Sequence, residues 1–236
     1  IDCLDNIDLK NQRVLEIGLG QGSESEQIVR RGALWSGLDL TKESISRVKK
    51  RFNIKNLKYQ EIKQGSILQA PFNDNSFDIV FSHGVLHHIP DISNAQREIS
   101  RILKPNGELI VMLYAKHSLN YYISIGLIRR TGLLLSYPFY KNPNTIVGRH
   151  GMNAKEKGLF SYLRMKNFIH YNTDGPLNPY SKVYTKKEVE KDFKDFKLIK
   201  SYKRFMHAPL VPLSKFLPLQ SILGWHLWAH LVNKNE

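Results

Sequence analysis

Short apolar runs separated by segments of helical spacing set the rhythm of the first half of the chain. Five runs read as strands, at residues 13–17, 34–39, 58–62, 77–82 and 108–115, the last two apolar enough to be buried on both faces. Helices are predicted between them. Thr41 is placed to cap a helix running to Phe52, and Ser93 with Gln96 three positions on forms a capping box ahead of Ile99, Ile102 and Leu103. Lys104-Pro105-Asn106-Gly107 stops that helix. Strand and helix alternating at this spacing imply a doubly wound α/β sheet with right-handed crossovers.

After the fifth strand the rhythm breaks. Residues 121–140 are apolar and aromatic, 142–151 are rich in Gly, Asn and Pro, and 172–179 are dense in turn formers. The pattern returns at Thr185, which makes a capping box with Glu188, and runs into strands at 196–206 and 224–232. Between those strands, residues 208–222 carry prolines at 209, 212 and 218 and are too interrupted for one helix. The expected division is a core over 1–116, a lid or substrate-binding insertion over 117–182, and a C-terminal helix and strands over 183–236 that complete the core sheet.

Composition narrows the class. The chain has 236 residues, 42% of them hydrophobic and 24% charged, as in a folded globular protein. A single cysteine, Cys3, excludes an internal disulfide and a multi-cysteine zinc site, which fits a cytoplasmic setting. No run approaches the roughly 18 apolar residues of a membrane-spanning helix, and the N-terminus lacks a signal-peptide layout. The chain opens Ile1-Asp2-Cys3 without an initiator methionine and enters a strand-like run by Arg13, so whether a segment precedes it is left open. The net charge is +14, and residues 141–236 hold 17 of the 35 Lys/Arg but only 7 of the 21 Asp/Glu. Such a basic half would attract nucleic acid, anionic lipid or phosphorylated substrate, or serve solubility alone.

The chemistry starts at the first strand, which runs into Gly18, Gly20 and Gly22 and then a helix. Glycines there let the chain turn sharply and let a ligand approach main-chain atoms. Asp39 ends the second strand about 20 residues on, where an acid accepts hydrogen bonds from ribose hydroxyls. Ser23 stands where a dinucleotide fingerprint needs its third glycine, so the nucleoside is not read as nicotinamide.

Residues 14–22 (VLEIGLGQG) resemble motif I of class I S-adenosylmethionine (SAM) methyltransferases. Residues 64–72 resemble the adenine-contacting segment of that family, and 77–91 (FDIVFSHGVLHHIPD) the fourth-strand motif of its type 11, UbiE-like subgroup; Arg97-Glu98 and residues 101–107 match the helix and turn that follow. The resemblance covers residues 13–115 closely and the last two strands more loosely. It implies a Rossmann-like seven-stranded sheet with an antiparallel C-terminal strand, SAM as cofactor and S-adenosylhomocysteine as product. It further implies cofactor contacts from Glu16, Gly18, Gly20, Gly22, Asp39, Leu40, Gly65, Ser66, Ile67, Ser82 and His83. In the family an acid follows the adenine-segment glycine; here Ser66 takes its place, leaving recognition to a hydroxyl, the backbone and Ile67.

Methyl transfer from a sulfonium needs alignment and exclusion of water more than a nucleophile. For a hydroxyl, phenol or acidic carbon a base helps, and His83, His87 and His88 stand beyond the fourth strand; His87 is preferred, with His83 second. No metal is expected, because carboxylates and cysteines at ligand spacing are not evident beside them. Tyr114, His117, Tyr121, Tyr122 and Tyr180 are candidates to line an acceptor pocket. Asp174 and Asn178 read as turn formers, with a lid contact as the alternative.

The insertion favours a compact acceptor, small or lipid-linked, enclosed by a lid. RNA ranks below it, because Ser82-His-Gly-Val85 lacks the Asn/Asp-Pro-Pro-aromatic element of base-amino methylation. A noncatalytic binding module or a membrane-surface protein is the remaining alternative, since 123–137 and 210–223 are apolar beside basic residues. The acceptor, the methylated atom and the oligomeric state are not legible.

Overall fold

In the computed structural model, residues 3–5, 7–140, 142, 144–206, 208 and 218–234 are described. The predicted alternation is present: β1 (Arg13–Ile17), α1 (Ser23–Arg30), β2 (Leu34–Asp39), α2 (Lys42–Ile54), β3 (Glu61–Gln64), β4 (Phe77–His83), α3 (Ile92–Ile102) and β5 (Leu103–Ala115). After the insertion come β6 (Val183–Tyr184), α8 (Lys186–Asp192), β7 (Phe196–Arg204) and β8 (His226–Asn233). Seven strands run in the order β3-β2-β1-β4-β5-β8-β7, and β6 adds a two-residue parallel pairing to Tyr114 and Ala115. The first five are parallel, and β8 is antiparallel to both of its neighbours.

Strand order reverses at β1, which has β2 on one side and β4 on the other. Crossovers therefore leave on opposite faces, and a crevice opens beyond the carboxyl ends of β1 and β4. Alternation along each strand splits the core in two. Leu15, Ile17, Val80, Leu109 and Val111 face one apolar layer; Val14, Ile79, Phe81, Ile110 and Met112 face the other.

Three boundaries differ from expectation. The third strand begins at Glu61 rather than 58, because the Tyr59 ring packs on Trp35 and Phe52, at 6.3 and 5.7 Å, before the ladder starts. α3 is capped by Asp91, which accepts from Asn94 N at 3.1 Å, and not by Ser93 with Gln96. Gln96 is buried and bonded to Asp195, so its amide is held at the far sheet edge. β5 begins at Leu103, with an irregularity opposite 77–79 that absorbs the Pro-Asn-Gly turn. Thr41 and Thr185 cap α2 and α8 as predicted, and Glu188 completes the second box.

Between β5 and β6 the described residues form helices and loops: a π-helical stretch Asn120–Arg129, then α4 (Arg130–Ser136), α5 (Ile146–Lys157), α6 (Leu159–Leu163) and α7 (Met165–Asn172). They pack around Ile125, Tyr162 and Phe168, and Trp225 ahead of β8 joins the same apolar cluster. A short α9 (Gln220–Leu223) precedes β8; the prolines at 209 and 212 and most of the apolar stretch 210–223 lie outside the described residues. Among the described residues no helix is long and apolar enough to cross a membrane.

Candidate functional site

The loop after β1 is built from three left-handed residues, Gly18 (φ +80°), Gly20 (φ +49°) and Gly22 (φ +74°), which glycine adopts without a Cβ penalty. Their surroundings differ. A Cβ on Gly18 would lie 2.1 Å from Val85 Cγ2, and one on Gly22 would lie 2.9 Å from Val48 Cγ2, whereas one on Gly20 would meet nothing within 4 Å. So only Gly20 of the three bares its backbone to open space. Gly18 and Gly22 pack closely against Val85 and Val48, and Gly18 also lines the pocket that opens beside Asp39.

Asp39 is tied to the same loop. Its Oδ2 accepts from Leu19 N at 2.7 Å and its Oδ1 from Thr41 N at 2.8 Å. The Thr41 hydroxyl lies 2.8 Å from Oδ1 and has Ser44 Oγ at 2.9 Å as its alternative partner. Oδ2, with one donor, thus keeps a lone pair to offer, and Oδ1 gains one when the Thr41 hydroxyl turns to Ser44. A pocket of about 380 Å³ opens here, lined by Gly18, Asp39, Leu40, Gly65, Ser66, Ile67, Val85 and His88 among others. That volume lies within the roughly 300–1,000 Å³ of small-molecule sites. Ser66 Oγ accepts from Leu68 N at 3.2 Å, capping a short turn, so the hydroxyl faces a ligand mainly as a donor. A larger hollow, about 620 Å³, lies by Lys104 to Glu108 and His230, at the amino ends of β4 and β5, the wrong end of a parallel sheet for a ligand.

Several expected residues are not brought to this pocket. Glu16 is buried and accepts from Trp35 Nε1 at 2.9 Å; burial pushes its pKa up to about 8. Ser82 is buried within the sheet. His83 Nδ1 lies 3.1 Å from Glu24 Oε1 on α1, and its ring packs against Trp228 and His226. That contact, against the opposing effect of burial, holds Glu24 down to about 2.

The preferred base is also corrected. His87 is 0% exposed, with the Tyr114 ring 3.8 Å away centroid to centroid. Burial, reinforced by His88, pushes its pKa down to about 3, and both ring nitrogens are buried without a hydrogen-bond partner. His88 is the histidine that lines the pocket. Its Nε2 lies 3.2 Å from Asp174 Oδ2, and its Nδ1 lies 3.0 Å from both the Tyr180 carbonyl and Ser181 Oγ. Tyr114 donates to the other oxygen of Asp174 at 2.8 Å. Burial opposes charging His88, but the Asp174 hydrogen bond, the Tyr180 carbonyl and the Asp174 charge overcome it and raise its pKa above the ordinary histidine value. Asp174 is pulled the opposite way, below the usual carboxylate range: burial opposes this, and the His88 and Tyr114 bonds prevail.

Of the acceptor-pocket candidates, Tyr114 reaches this cluster through its hydroxyl and Tyr180 through its main chain. His117, Tyr121 and Tyr122 form a separate group, with His117 Nδ1 bonded to Tyr122 and the two tyrosine rings edge to face. Asp174, read as a turn former, is the missed functional residue. It also removes the ground on which a metal was discounted, since His87, His88 and Asp174 place one donor atom each within 4.8 Å of one another. In the structure two of those donors are bonded to each other and the third is sealed behind Tyr114.

The sheet order, the antiparallel closing pair and the pocket at the β1/β4 reversal define the fold of class I SAM methyltransferases. The chain superposes on a SAM-dependent methyltransferase from Mesorhizobium loti with a TM-score of 0.63, at 13% identity, over 96% of this chain and 93% of that one. It superposes equally on one from Methanosarcina mazei, with a TM-score of 0.63, 15% identity and coverage of 96% and 94%. Residues 15–111 match the methyltransferase-domain family. Related proteins include the fatty-acid O-methyltransferase of Mycolicibacterium smegmatis, 35% identical over 102 residues, 42% of this chain and 36% of that protein. Another is the ubiquinone biosynthesis O-methyltransferase of Neisseria meningitidis serogroup C, 28% identical over 126 residues, 51% and 52% of the two chains. The matches thus span about a third to a half of these relatives' length.

Family and fold imply SAM as the cofactor, and the residues present fit it. The open space at Gly20, the spare acceptor capacity of Asp39 and the apolar walls of Leu38, Ile67, Leu68 and Val85 suit a loop-bound chain, a ribose and a base in turn.

Proposed function

We propose that the chain is a SAM-dependent methyltransferase acting on an O–H group of a small or lipid-linked acceptor. The observation that carries this reading is that His88, paired with Asp174, lines the same pocket as Asp39, Ser66 and Ile67. When bound, SAM supplies a methyl group on a positively charged sulfur with a good leaving group. The chain supplies the proton acceptor. With Nδ1 donating to the Tyr180 carbonyl, an acceptor hydroxyl that takes the place of Asp174 at Nε2 would give its proton to a neutral His88, and Asp174, steadied by Tyr114, would stabilise the imidazolium that forms. The insertion, which provides both Asp174 and Tyr180, acts as a lid that excludes water.

Names of relatives support an acceptor of this kind, with fatty-acid and ubiquinone-biosynthesis O-methyltransferases among them. The phosphoethanolamine N-methyltransferase 2 of Caenorhabditis elegans, 31% identical over 106 residues, shows a related core beside a nitrogen acceptor, so the choice of oxygen rests on the dyad.

The test is formation of S-adenosylhomocysteine with alcohol, phenol and amine acceptors, alongside calorimetric binding of that product. His88→Asn is expected to lose about 10²–10⁴ of the rate on hydroxyl acceptors while keeping product affinity within a few-fold. The working form of His88 is neutral and its pKa is raised, so the rate should climb with pH through a value above the ordinary histidine range. Asp174→Asn should move that limb to lower pH. Undiminished rate in His88→Asn, or transfer confined to amines, overturns the oxygen reading; failure to bind the product overturns the methyltransferase reading itself.

A further inference from the structure

The insertion carries exposed apolar side chains that the pocket does not use. Among the described residues, ten of the seventeen exposed large apolar side chains lie within 117–182, little more than a quarter of the 236-residue chain. Single exposed apolar residues are ordinary on any surface, so what counts is the most exposed of them and the charge beside it. The extreme case is Phe160, 81% exposed. Its position follows from the local chain. α5 ends at Gly158, whose φ of +77° turns the backbone sharply, and α6 then buries Tyr162 and Leu163 in the apolar cluster around Ile125 and Phe168. Phe160 and Ser161 are left facing out.

Charge around that ring is predominantly basic, with one exposed acid, Glu156, between Lys155 and Lys157. Lys155 and Lys157 precede it and Arg164 and Lys166 follow it, all four exposed. Across residues 117–182 there are nine Lys/Arg and two Asp/Glu, and one of those acids, Asp174, is committed to His88. A projecting aromatic with a basic collar is matched by a surface that yields to the ring and carries negative charge on its skin. A second copy of this chain is a poor match, because its net charge of +14 would set one basic face against another.

We infer that the turn joining α5, α6 and α7 docks on the surface of an anionic phospholipid bilayer, with Phe160 entering the boundary between headgroups and acyl chains and Lys155, Lys157, Arg164 and Lys166 against lipid phosphates. The docking carries the lid, and Asp174 with it, to the water–lipid boundary where an acyl-chain or prenyl-chain acceptor would reside.

The experiment is co-sedimentation of the full chain with vesicles of phosphatidylcholine alone and with about 30 mol% phosphatidylglycerol, at low and high salt. Binding is expected to the anionic vesicles and to fall away at high salt. Lys155→Gln with Lys157→Gln should weaken it about fivefold per charge removed. Phe160→Ser should weaken it about tenfold. Far-UV circular dichroism and S-adenosylhomocysteine affinity, which none of these side chains touches, should stay as in the parent chain. Equal binding to neutral vesicles, full binding by Phe160→Ser, or no vesicle binding overturns the inference. So does a lipid-free dimer that Phe160→Ser dissolves, which would show that a second copy covers the ring. The assay needs no methyl transfer, so its outcome is independent of the activity proposed above.

Discussion

A buried acid in β1 can be read by a single substitution. Glu16 is an acid whose folded pKa, about 8, lies far above its unfolded value, so the folded chain holds a proton that the unfolded chain has lost. Its contribution is therefore full at low pH and declines as pH rises from about 4.5 towards 8. Glu16→Gln keeps an acceptor for the Trp35 indole without the charge. Thermal melts should show it more stable than the parent by at least about 1 kcal/mol at pH 8, with a much smaller difference at pH 5. A difference independent of pH would mean that Glu16 is already ionised. At the loop, Gly20→Ala adds a methyl to open space, and on the reading proposed above it should lower S-adenosylhomocysteine affinity at least about tenfold for about 1 kcal/mol of φ strain. Gly18→Ala drives a methyl into Val85, and should cost more in melting temperature than Gly20→Ala.

At the scale of elements, α8 offers the cleanest test of a local signal. Thr185 Oγ1 accepts from Glu188 N at 3.2 Å while Glu188 reaches back to Thr185 N at 2.8 Å, so Thr185→Ala orphans a helix-terminal donor. Chemical denaturation should register a loss of about 1 kcal/mol with product binding intact. That box, the Thr41 cap, β1 with its glycine loop and Asp39 were all legible because each is decided by residues near one another in sequence. The third strand was misplaced by three residues because an aromatic cluster spanning Trp35, Phe52 and Tyr59 decided where its ladder begins. The choice among three histidines was not legible at all. His87 and His88 are adjacent, and what separates them is a ring from β5 and a carboxylate about 60 residues further along. No periodicity or motif reports a contact of that range, so Asp174 read as an ordinary turn former.

For the molecule as a whole, sheet completion by the chain's last described strand is decisive. β8 pairs with β5 from Glu108 to Tyr114 on one side and with β7 on the other, and Ser100 and Asn233 lock its end to α3 with a 2.6 Å bond. Removing residues from 224 onward would strip β5 of that partner and expose a long apolar edge. Such a truncated chain is expected to aggregate on expression, read by its partition between soluble and pelleted fractions. A soluble monomer retaining product affinity would show that the five parallel strands suffice.

The His88–Asp174 pair straddles two parts of the chain: one partner stands on the sheet, and the other comes from a contiguous stretch packed around Ile125, Tyr162 and Phe168. Reactivity is then modular. On the reading proposed above, grafting residues 117–182 from a relative would exchange Asp174 and the helices around it while leaving His88 in place. Evolution could thus retune what is methylated while the nucleoside cradle stays as it is.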